Sequence, residues 1–138
     1  MAKARSARVV LIIAFVAMTA FGCASSGVTP MAAQNVPSLA GTWNGWVSLP
    51  TGGSTPGTFE LSPGGEYVTR AGAFSARGTA QIKDGVVVLV SSGGSGRLGV
   101  TERTSTASLG QRADGMLVLK GTGRSDAGPF DFEFTRPK

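Results

Sequence analysis

The residues able to do chemistry are few. Cys23, within Met18-Thr-Ala-Phe-Gly-Cys-Ala-Ser-Ser26, is the only cysteine of the chain, and there is no histidine. A hydroxyl or thiol nucleophile therefore has no imidazole base, which excludes Ser-His and Cys-His catalysis and histidine metal sites. A structural disulfide would need a second cysteine. Asp126, Asp131 and Glu133 are the nearest group of carboxylates. Asp131 and Glu133 alternate with Phe130, Phe132 and Phe134, however, which is the pattern of a solvated strand face and not of a paired acid and base. Gly93-Gly94-Ser95-Gly96-Arg97 and Gly121-Thr122-Gly123-Arg124 lack the helix and the Lys-Ser/Thr of a phosphate loop and read as hairpin loops. Tyr67 reads as an ordinary half-buried strand tyrosine. No cofactor or metal is expected, and the chain does not read as an enzyme.

Cys23 is better explained by what precedes it. Lys3, Arg5 and Arg8 are followed by an uncharged thirteen-residue run, Val9 to Phe21, and then by small residues. That is the layout of an export signal over residues 1–22. A helix of thirteen residues reaches only about 20 Å, short of the roughly 30 Å of a bilayer core. Ala20-Phe21-Gly22-Cys23 resembles a bacterial lipobox, with Ala20 where that family usually has Leu. The resemblance implies diacylglycerol on the Cys23 sulfur and an N-linked acyl chain such as palmitate, and multiple chains make anchoring stable. Ala24 rather than Asp after the cysteine implies, by the same analogy, an outer-membrane lipoprotein facing the periplasm. Ala20-x-Gly22 also satisfies ordinary secretory cleavage, which leaves a soluble periplasmic or secreted product open, as does an uncleaved anchor.

The formal charge of +5 is mostly a property of the signal, because residues from Cys23 onward carry ten Lys and Arg against eight Asp and Glu, or +2. These charges are dispersed, without the basic runs interleaved with aromatics that bind nucleic acid, so no nucleic-acid partner is expected. Twenty of the 21 glycines follow Cys23. Each costs a helix interior roughly 1 kcal/mol relative to alanine, which argues for an all-β domain. Residues 23–38 read as the lipidated N-terminus and a flexible tether, and residues 39–138 as one domain.

Within that domain, alternating runs sit between turn signals: Trp43 to Leu49, Thr58 to Ser62, Glu66 to Arg70, Phe74 to Ile82, Val86 to Leu89, Leu98 to Thr104, Thr106 to Gln111, Met116 to Leu119 and Phe130 to Thr135. Asp84-Gly85 and Asp114-Gly115 both predict type I′ hairpin turns. The expected fold is a small antiparallel up-and-down β-barrel of about eight strands, preceded by a signal helix and the tether. Trp43, Phe59, Phe74, Leu98, Leu117, Phe132 and Phe134 should fill it. Gly41-Thr42-Trp43 resembles the G-x-W signature of lipocalins and the related avidin-like and protease-inhibitor barrels. That resemblance implies that Trp43 plugs one barrel end beneath Arg136. Trp46, on the opposite face from Trp43, is either exposed as a partner contact or redirected by a bulge at Gly45. The expected function is a non-catalytic binding or accessory module that meets the membrane through Cys23 and another envelope protein or a small apolar ligand through the barrel. Inhibition of a protease or lysozyme and secreted carriage of an apolar ligand are the alternatives.

Overall fold

The computed structural model describes residues 27–95, 104–125 and 128–138. Residues 1–22, expected to be an export signal, and Cys23, Leu98 and Asp126 lie outside them. The strands are β1 (Val28–Met31), β2 (Gly41–Ser48), β3 (Ser54–Leu61), β4 (Glu66–Ala71), β5 (Phe74–Lys83), β6 (Val86–Ser95), β7 (Thr104–Arg112), β8 (Leu117–Ser125) and β9 (Gly128–Arg136), with a 3-10 turn at Pro37–Leu39. From β2 to β9 each strand pairs antiparallel with the next, and β9 returns to β2 from Asn44↔Thr135 to Ser48↔Asp131. Eight strands thus close into an up-and-down barrel, with β1 added outside the closed ring.

Period-two alternation puts Trp43, Val47, Phe59, Leu61, Phe74, Leu89, Leu109, Leu119, Phe132 and Phe134 inside, where all are buried. The rings of Phe59, Tyr67, Phe132 and Phe134 form a connected stack with centroids 5.4–5.8 Å apart. β5 bends where small residues predominate: the register against β6 shifts between Arg77 and Gly78, leaving Ser92 as the extra residue of a bulge.

Three features depart from the sequence expectation. Asp84 and Gly85 both have positive φ (53° and 77°), as a type I′ turn requires. At Asp114-Gly115 only Gly115 does (87°), and Gly115 N–H donates to Arg112 C=O while Arg112 N–H donates to Met116 C=O. That is a three-residue loop with glycine in the left-handed position, the same pattern as at Ser62–Glu66.

Gly121 to Arg124 are not a loop. They belong to β8, and Phe132 and Phe130 lie opposite Gly121 and Gly123. A Cβ on Gly121 would stand 2.6 Å from the Phe132 ring and 2.4 Å from the Thr106 carbonyl. The glycines make room for rings that cover them, so a turn-like composition serves a strand. Gly93 likewise lies within β6.

The segment expected as a tether is partly built into the domain. β1 pairs with β7 from Val28↔Arg112 to Met31↔Leu109, in line with β6, which pairs with Thr104 to Ala107 of the same strand. Ala33 N–H then donates to Gly85 C=O at 2.8 Å, and Ala33 and Leu39 join the core. Unpaired donors along β7 supply the reason: β6 starts too late to pair them, and β1 does.

Gly121→Val should therefore lower the unfolding free energy by about 1–3 kcal/mol or more, the usual cost of overpacking, in urea denaturation. Gly115→Ala meets no atom within 4 Å, and its cost should come only from the positive φ, about 1 kcal/mol.

Candidate functional site

One end of the barrel, termed the base, is formed by the start of β2, the end of β9 and the turns at Ser62–Glu66, Asp84-Gly85 and Arg112–Met116. Trp43 is fully buried there, and its Nε1–H donates to Leu39 C=O at 2.9 Å. The Arg136 guanidinium lies over the indole, 4.8 Å from the ring centroid. Its Nη1 donates to Ala40 C=O and its Nη2 to Ser38 C=O, the latter at 2.9 Å. The two residues that the G-x-W resemblance pairs are thus brought together, and both also hold the residues entering β2. Gly41 explains its own place in the motif. Its φ of 130° suits glycine, and a Cβ would come within 3.3 Å of Arg136 Nη1.

The sequence reading missed the strap that crosses the base. Asn35 Oδ1 accepts from Ser38 N–H at 2.9 Å and Pro37 opens the 3-10 turn, which presents Leu39 to the core. The pattern Asn35-Val36-Pro37-Ser38 carries that start signal.

Above Trp43 the barrel interior keeps a cavity of about 40 Å³, lined by Phe59, Tyr67, Thr69, Ser91, Ser105 and Phe130 among others. Its polar groups are hydroxyls. Burial pushes the Tyr67 phenol above its ordinary pKa, and a side-chain hydrogen bond with Ser91 partly offsets the shift. Tyr67 is accordingly neutral at physiological pH. It can hydrogen-bond but offers no base there.

Trp46 stands on the outer wall, 36% exposed, between Pro56 of β3 and Glu133 of β9. There is no bulge at Gly45, since both registers run through it unbroken. Gly45 instead faces inward, where a Cβ would lie 1.8 Å from the Glu133 carbonyl. Asp131 and Glu133 also face outward, opposite buried Phe132 and Phe134. Among the described residues no group of three potential ligands gathers to hold a metal.

No known protein family, curated protein or solved structure matches this chain. The described residues offer a cation-capped indole, a small interior cavity and one outward tryptophan.

Arg136→Ala should cost about 2–4 kcal/mol in chemical denaturation, because charged hydrogen bonds and a cation–π contact are lost together. Arg136→Lys should recover part of that loss. Because the Tyr67 pKa is raised by burial, its contribution to stability is complete below the unfolded tyrosine value of ~10 and is lost as pH rises through the higher folded value. Stability should fall above pH ~10 in the wild type, and this component should be absent in Tyr67→Phe.

Proposed function

We propose that the chain is a non-catalytic envelope lipoprotein, anchored through lipid on Cys23, whose filled barrel acts as a binding or accessory module toward another envelope protein. The observation that carries this reading is the size of the interior. Among the described residues the interior cavity of about 40 Å³ admits a few waters, whereas small-molecule sites run to about 300–1,000 Å³. A small apolar cargo is thereby disfavoured, and recognition falls to the outer surface. There Trp46 is one of two exposed large apolar side chains among the described residues. Partly exposed tryptophans beside polar groups are frequent anchors of protein contacts.

The stacking of Arg136 on Trp43 after Gly41-Thr42 supports kinship with the G-x-W barrels, which include inhibitors. The inhibitor reading ranks second because the Leu49–Gly53 connection is a compact turn, closed by Leu49 N–H to Gly53 C=O at 2.9 Å. It offers little reach into a cleft. The N-terminal signal and Ala20-Phe21-Gly22-Cys23 support an outer-membrane location facing the periplasm.

Intact mass of the mature protein from bacterial membranes tests the anchor. A lipid-sized increment at Cys23, lost with membrane association in Cys23→Ala, is expected; an unmodified soluble chain overturns it. A photo-crosslinking residue at position 46 tests the surface. It should trap one defined envelope protein in cells, while the same probe at Glu60 should not. Trp46→Ala should shift stability by less than about 1 kcal/mol, and a variant that unfolds would remove Trp46 from the contact role.

A further inference from the structure

We infer that the docking of β1 fixes the barrel's orientation, with its base toward the lipid surface and its opposite end held away from it. This rests on the anchored-lipoprotein reading. Val28, the first residue of β1, pairs with Arg112, which opens the turn at the base. From there the strap runs under the barrel through Ala33 and Leu39 to Trp43. Only Ala24 to Gly27 separate Cys23 from the wall, so the span to Val28 is five residue steps, about 17 Å at full extension. Had the chain been free as far as Leu39, sixteen steps would have reached about 55 Å.

The comparison that decides the geometry is with the barrel's height. Seven of the eight barrel strands have eight to ten residues and β4 has six; at about 3.3 Å per residue and a tilt of about 40°, the longer strands give a barrel roughly 20–25 Å tall. A tether of about 17 Å leaving the base falls short of that height. An inverted pose, with the Leu49–Gly53 and Gly72-Ala73 turns of the other end resting on the bilayer, is then out of reach. Lys83, Arg112 and Lys138 are exposed at the base, beside Asp84 and Asp114. Exposed Met31 lies on the docked segment itself. Trp46, on the side wall, stays clear for a partner moving along the membrane.

The test uses the lipidated full chain in phosphatidylcholine vesicles carrying spin-labelled headgroups. Lipid occupies the only native thiol, so Ala113→Cys at the base and Thr51→Cys at the far end can each be labelled with a fluorophore. Quenching should be severalfold greater at position 113 than at position 51. Equal or reversed quenching overturns the orientation. Inserting about ten Gly/Ser residues between Ser26 and Gly27 lengthens the tether without touching the barrel, and should abolish the contrast. A contrast that survives the insertion would overturn the short tether as its cause. Intact mass separates the two levels: a chain without lipid sinks the anchoring reading together with this inference, whereas a lipidated chain with equal quenching sinks the orientation alone.

Discussion

An eight-stranded barrel encloses room for side chains and little else, and most features of this molecule follow from that limit. The aromatic stack of Phe59, Tyr67, Phe132 and Phe134 occupies the middle. To admit those rings while the strands coil tightly, the wall must be bare at chosen points. Gly121 and Gly123 lie beneath Phe132 and Phe130, and Gly45 yields to the backbone of β9. The glycine content that argues against helices is the same content that permits a small closed sheet.

The base depends on the same economy of space. A fully buried indole carries one N–H that needs a partner, and Leu39 supplies the carbonyl. The ring face left toward the end of the barrel is covered by Arg136, whose remaining donors hold Ala40 and Ser38. One side chain from the last strand thereby shields the first strand's tryptophan and secures the segment leading into it. The arrangement joins the two ends of the domain at one point.

The parts of this plan that depend on strict alternation were legible in the sequence: the strand faces, the closed all-β architecture and the inward set from Trp43 to Phe134. Asp84-Gly85 was legible because both residues bear positive φ. Asp114-Gly115 was not, because the same dipeptide also fits a three-residue loop, and pairing beyond the dipeptide chooses between them. Gly121 to Arg124 looked like a loop because the aromatic cover for its glycines comes from another strand. β1 was hidden for a related reason. Val28 to Met31 has no alternation to announce it, and its pairing depends on where β6 begins. Alternation alone left Trp46 either exposed or redirected by a bulge at Gly45, and the unbroken registers of β2 chose the first, whereas the role of Gly41 depended on the arrangement around Arg136.

The seam between β2 and β9 has a consequence for how the chain must fold. Asn44 and Thr135 are 91 residues apart, yet the Thr135 hydroxyl donates to the Asn44 carbonyl and the strands pair beside it. β9 pairs with both β2 and β8, so the sheet stays open along two strands until β9 arrives. Contacts of such sequence separation belong to slow, millisecond-to-second folding. During that interval the backbone groups of β2 and β8 are available to any neighbouring chain. A chain made from its N-terminus therefore completes its barrel only after synthesis has delivered β9, and its need for protection is set by that delay.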